Sequence, residues 1–297
     1  MSAIASAHGA RARPRARGLA RRRGVSIIMV SLTCLAAALA IVPLIVILAY
    51  LLEQGAGALS VGFFTHMPKP VGETGGGMAN AILGTLILIA IASVVGLPVG
   101  IGAGLYLAEQ RGARVANAVR FLADVLNGLP SIVMGIFAWQ FLVRPFGHFS
   151  ALAGGAAIGA MMIPLVTRTT EEMVRTVPQS LHEAALALGY PRWRTSLQIV
   201  LRTALGGIVT GVLVAVARVA GETAPLLFTA FGNQFWSTKL TQPVAALPLQ
   251  IFTYAISPYD DWHAQAWAGA LVLIALVLVI SVIARFVTRG RHAGGHD

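Results

Sequence analysis

The sequence predicts an all-α, polytopic membrane protein built as a bundle of six transmembrane helices. Of 297 residues, 57% are hydrophobic and only 11% charged, too few charges to cover a soluble domain of this size. The charged residues gather in short clusters between long apolar runs, a pattern for which a bilayer is the natural solvent. Six of those runs are near or above the roughly 20 residues needed to cross hydrocarbon.

Taken in order, the expected spans are 26–52, 80–108, 121–143, 150–167, 203–224 and 265–287. The first lies within an apolar run, Val25 to Leu52, too long for a signal-peptide core, and reads as a retained anchor. The third holds Gly128 and Pro130 near its start, with Asn127 and Ser131 supplying polar atoms. Helix-breaking residues inside a span line cavities, but they also occur in ordinary bundles, so both readings stand. Asp124, at the edge of that span, reads as an interfacial or packing charge. The fourth span carries Gly154, Gly155 and Gly159, which lower its helix propensity yet let neighbouring backbones approach closely. The fifth carries Arg218 and Glu222 in apolar surroundings.

Arginines set the orientation. Seven fall within the first 23 residues, and with the N-terminus inside, 18 of the 22 basic residues lie in inward pieces. Flipping the chain would leave only Lys69, Arg144 and Lys239 inside, so both termini are expected to be cytoplasmic. Two long outer loops result. The first, about 53–79, reads as turn-rich connection. The second, about 225–264, contains PVAALPLQIFTYAI, suited to a short helix at the membrane surface. Both are candidates for a face that docks an external partner. The Ala/Arg-rich residues 1–25 are expected to be a disordered tail.

Several function classes are excluded. The net charge of +11 does not mark a nucleic-acid binder, because no aromatic residue interleaves with the basic N-terminal run. Cys34 stands alone and cannot form an internal disulfide. His292 and His296 belong to a short terminal tail and read as solvated residues, so no metal site is expected. The only lysines are Lys69 and Lys239, and no G-x-x-x-x-G-K-[ST] occurs, so the chain has no phosphate-cradling loop of its own. If it pumps, ATP is hydrolysed by another polypeptide.

Residues 168–202 are too polar to cross the membrane, yet are not loop-like. Ser180 and Glu183 have the spacing of a capping box, good helix formers run from Leu181 to Leu188, and Gly189 is placed to end the helix in a left-handed residue. Pro191 then opens a second short element with Arg192, Trp193 and Arg194. A short helix–turn–helix between two spans suits mechanical docking better than catalysis. In the fifth span, the four-residue spacing of Arg218 and Glu222 places both on one helical face. They either neutralise each other there, or Arg218 offers planar donors to a crossing oxyanion while Glu222 holds it or accepts from a protonated phosphate. Gly221 and Pro225 are able to loosen the helix beside them.

Glu183, Ala184, Ala185, Gly189, Ile199 and Leu201 resemble, in type and spacing, the EAA motif of ABC-importer permeases, with Arg202 where that family usually has proline. Arg218 to Leu226, Gly128 to Phe137 and Ile163 to Met173 look like signatures of the phosphate-importer permeases within it. The resemblance implies a type I ABC-importer permease (MetI-like) core over 80–290, with a coupling helix at about 180–196. Residues 26–79 would be the first helix and outer loop, and 291–297 a cytoplasmic tail. It further implies a permease subunit, not itself an enzyme, that translocates inorganic phosphate across a bacterial inner membrane. Implied partners are a related PstC-type second permease, an ATPase dimer, an external phosphate-binding protein and membrane lipid. No cofactor is implied for this chain, the ATP and Mg2+ being used by the ATPase. Arg218, Glu222, Thr223, Asn127 and Ser131 would line the pathway. Glu183, Ala184, Ala185 and Gly189 would couple to the ATPase. The alternatives are a permease for sulfate or molybdate, and an ion-gradient-driven carrier or channel.

Overall fold

In the computed structural model, backbone structure is described for residues 16–73, 75–110 and 112–289, and side chains from residue 22 to 286. The tail beyond 289, with His292 and His296, lies outside the described residues, as does most of the 1–25 stretch. The chain divides into two compact units, one ending at Leu52 and one beginning at Glu53. The first holds most of α1 (Ala16–Ala56), which carries no charged residue from Val25 to Leu52.

The second unit is a helical bundle. Its central pair is α3 (Ala79–Glu109) and α6 (Ala151–Arg175), which run parallel and in close contact. Glycines at four-residue spacing make the contact possible. A Cβ on Gly100 would come 2.7 Å from the Val166 Cβ, and one on Gly104 would come 2.5 Å from the Thr167 carbonyl oxygen. Small residues are what let membrane helices pack backbone to backbone, where no hydrophobic effect drives them together. The glycine-rich fourth span is thus the most buried of the candidate spans among the described residues. It also continues to Arg175, eight residues past the expected end.

The third span departs from expectation. Instead of one helix over 121–143, there are two: α4 (Arg114–Gly128), and α5 (Ser131–Ala138) continued by a π-turn to Val143. They meet at 105°. Pro130 has no N–H to donate and pushes Leu129 out of the helical region, to φ −71° and ψ 136°. Among the described residues, five helices are therefore long and apolar enough to cross a membrane, and six if this bent pair is one span.

After α6 come α7 (Gln179–Ala187) and α8 (Arg192–Arg194), then a π-turn over Thr195–Val200 that leads into α9 (Leu201–Ala220). Helix α9 runs back along α6, so that Gly211 lies against Thr169. The chain resumes as α10 (Ala224–Thr229), then α11 (Leu247–Ala255) and α12 (Asp260–Arg289). Helices α3, α6 and α12 all run toward the α7–α8 end. Short α2 (Val61–Thr65) and α11 cap the opposite end, where Phe63, Met78, Leu247, Tyr254 and Ala268 form a buried cluster. The two outer loops are therefore packed structure, with Phe63 and Leu247 among the most buried side chains.

Candidate functional site

At one end of the bundle, α7 projects as a short lever. Its start differs from the capping-box expectation: Pro178 takes the cap position, no side chain caps the helix, and Ser180 lies within the first turn. Leu181 N–H donates to the Pro178 carbonyl at 3.1 Å, which closes the first turn without a side-chain cap. Its stop is as expected. Gly189 has φ +81°, Tyr190 N–H donates to the Ala185 carbonyl at 3.2 Å, and Gly189 N–H donates to the Leu186 carbonyl at 3.0 Å. Those two bonds form a Schellman motif, for which glycine is the favoured residue. Ala185 is buried, whereas Glu183, Ala184 and Gly189 are exposed. Leu186, Leu188, Tyr190 and Trp193 are exposed beside them, an apolar surface on a solvent-facing hairpin. Beneath the lever, a cleft of about 440 Å³ is lined by Glu109, Arg175, His182, Glu183 and Arg192 among others.

The second candidate feature is the interrupted fifth span. Helix α9 stops at Ala220, Gly221 caps it, and the chain turns through Glu222 and Thr223 before Pro225 restarts it as α10. The break overturns the expectation that Arg218 and Glu222 share a helical face: beyond Ala220 the four-residue spacing no longer brings side chains together. Among the described residues, no ion pair joins Arg218 to Glu222 or to any other carboxylate. Arg218 is exposed on the subunit surface, on a stripe of α9 with Thr210 and Val214; Glu222 and Thr223 are half-buried. The Thr223 hydroxyl donates to the Pro248 carbonyl at 3.5 Å.

The broken third span meets the broken fifth. A Cβ on Gly135 would fall 2.8 Å from the Pro225 Cα and 3.3 Å from the Ala224 carbonyl oxygen. Ser131 is one turn before Gly135, about 6 Å along the axis. The middle of α5 therefore meets the start of α10, and Ser131 is half-buried. Asn127, also half-buried, lies on the other side of the α4–α5 bend.

One charged centre escapes the sequence reading. Glu171 on α6 is 1% exposed and accepts from three arginines: Arg120 Nε at 2.6 Å, Arg168 Nη1 at 3.1 Å, and Arg175 Nη2. Arg120 also donates to the Leu107 carbonyl at 2.6 Å and to Asn117 at 2.8 Å. Arg168 pairs with Asp124 at 3.0 Å. The sequence does hold part of the signal, since Arg168, Glu171 and Arg175 share one face by their spacing. Arg120, 51 residues away from Glu171, could not be paired with it from the sequence.

At the opposite end, the loop between α10 and α11 exposes Phe231, Phe235 and Trp236. A second cleft of about 400 Å³ there is lined by Asn233, Gln234, Gln250, Thr253 and Tyr254 together with apolar residues.

Residues 100–292 match the family model of the binding-protein-dependent transport system inner membrane component. Among sequence relatives, the chain is 48% identical over 245 residues to the phosphate transport system permease protein PstA of Yersinia pestis, covering 82% of this chain and 83% of that protein. Among solved structures, it is similar to a chain of the MetNI methionine ABC transporter in inward-facing conformations, with a TM-score of 0.58 at 19% identity over 72% of this chain and 96% of that one. It is also similar to a chain of a bacterial alginate ABC transporter in complex with an alginate pentasaccharide-bound periplasmic protein, with a TM-score of 0.62 at 13% identity over 93% and 98%. At those identities the two structures speak for the fold: a MetI-like ABC-importer permease.

Proposed function

The chain belongs to the family of binding-protein-dependent transport system inner membrane components, and on that premise we propose that it is the phosphate-translocating permease subunit of an ATP-driven importer. The observation that carries the proposal is Arg218. Arg218 lies in the last turn of α9, at the break in an otherwise apolar span, and a guanidinium there calls for a partner or a wet path. With no carboxylate of this chain's described residues paired to it, a tetrahedral oxyanion is a fitting transient partner, because the planar fork of an arginine matches two of its oxygens. Glu222 and Thr223 on the adjoining turn, with Ser131 and Asn127 flanking the other break, supply the remaining polar atoms of the path.

Movement comes from outside the chain. The α7 lever, with Glu183, Ala184 and Gly189 exposed, docks on an ATPase subunit that binds ATP and Mg2+. Closure of the ATPase pair pushes the lever and rocks the attached helices, so that the path opens alternately to the two sides. This subunit breaks no bond. Its partners are a second, related permease of the PstC type, which covers the exposed Arg218 stripe, the two ATPase copies, and an external phosphate-binding protein on the aromatic outer loops. The arginine-rich lever end faces the cytoplasm of a bacterial inner membrane, as the positive-inside rule requires.

The test is uptake of labelled phosphate by cells whose own subunit is replaced by this one. Unlabelled phosphate competes and sulfate or molybdate does not; competition by sulfate would move the assignment to another oxyanion. Arg218→Gln lowers uptake about a hundredfold in complexes that still assemble, the scale of losing one desolvated charge contact. Uptake without any associated ATPase would replace the proposal by a gradient-driven carrier.

A further inference from the structure

Glu171 is 1% exposed and is not among the residues of the proposed path or of the exposed lever face. We propose that Glu171 is a positioning residue that makes α4 move with the lever, so that the push on α7 reaches the α4–α5 bend at Asn127–Ser131. The inference rests on the permease reading above.

Its geometry joins three helices. From α6 come Glu171, Arg168 and Arg175, the last of these in the final turn before the lever begins at Gln179. From α4 come Arg120 and Asp124. The end of α3 contributes the Leu107 carbonyl. Arg175 also lines the cleft under the lever with His182 and Glu183, so a displacement of α7 is felt first there. From Arg175 the linkage passes through Glu171 to Arg120 and through Arg168 to Asp124, both on α4. Three residues beyond Asp124, α4 reaches Asn127 and the bend that opens α5.

Ionic hydrogen bonds suit this task better than apolar contact. Apolar side chains can slide past one another while staying buried. A guanidinium fork on a carboxylate holds a narrow range of distance and angle. Breaking one arm at Glu171 would leave a buried charge short of its partner, which is costly. The end of α3, the end of α6 and α4 therefore move as one body, and the flexible joint is displaced to Gly128–Pro130.

The experiment uses the whole complex in membrane vesicles and reads ATP hydrolysis and phosphate uptake together. In Glu171→Gln and Arg120→Lys, assembly and ATP hydrolysis stay close to those of the unaltered complex, while phosphate moved per ATP falls about tenfold, a typical size for a coupling term. Glu171→Asp, which keeps the charge, recovers most of the loss. Unchanged phosphate per ATP in both variants overturns the proposal, and so does failure of both to assemble, which would make the centre structural. An unaltered complex that hydrolyses ATP and moves no phosphate would instead overturn the permease reading itself.

Discussion

Arg218 and Glu171 are both charged residues of an apolar bundle, and their surroundings give them opposite characters. Glu171 is saturated: three guanidiniums satisfy it, and the same guanidiniums are anchored by Asp124, Asn117 and a backbone carbonyl. A buried charge held by three cations fixes geometry and is already neutralised, which leaves it little to offer a ligand. Arg218 is exposed and unmatched by any carboxylate of the described residues, as the proposed oxyanion path requires. Glu183 stands apart from both, exposed on a hairpin and outside every ion pair among the described residues. Glu183→Arg is accordingly expected to leave the unfolding midpoint of the subunit nearly unchanged, as surface substitutions do within about 0.5 kcal/mol. It should lower the amount of ATPase that co-purifies by about tenfold, because reversing a charge at a contact changes affinity by about a kcal/mol or more. Equal recovery of ATPase with both forms would remove Glu183 from the docking face.

At the scale of elements, interruptions matter as much as helices. The α3–α6 pair supplies a rigid spine because its glycines admit backbone contact. The broken elements, α4–α5 and α9–α10, are arranged around that spine and meet at Gly135 and Pro225. Two glycines within one turn of each other test the spine. A Cβ on Gly104 would run into the Thr167 carbonyl, whereas a Cβ on Gly102 would meet nothing within 4 Å. Gly104→Val is expected to destabilise the purified complex by about 3 kcal/mol, the upper end for overpacking, and Gly102→Val by less than about 1 kcal/mol. Thermal unfolding in detergent distinguishes them, and similar midpoints for the two would mean that α3 and α6 do not pack through this face.

For the molecule as a whole, the charge asymmetry coincides with the fold. The lever end carries Arg114, Arg120, Arg168, Arg175, Arg192, Arg194 and Arg202, while Lys69, Arg144 and Lys239 belong to the other end. A membrane potential and anionic lipid both favour that arrangement with the lever inside. With Cys34 replaced by serine, a single cysteine at Lys239 should react with a membrane-impermeant thiol reagent in intact cells. One at Ser180 should react only after the membrane is permeabilised. The reverse pattern would place the lever outside and remove any route for cytoplasmic ATP to drive it.

Hydropathy and local turn chemistry were enough to find the helical class, the positions of the apolar segments, the lever and its Gly189 stop, because each depends on residues within a few positions of one another. Read as continuous helices, however, the third and fifth segments misled: Pro130 and Gly221 mark places where a helix can break, and whether it bends or ends there is decided by what packs against it. The same applies to charge. Arg218 and Glu222 are four residues apart and do not pair, while Arg120 and Glu171 are 51 apart and do. Distance along the chain governs contact only inside an unbroken helix; elsewhere the packing of α3, α4 and α6 determines which charges meet.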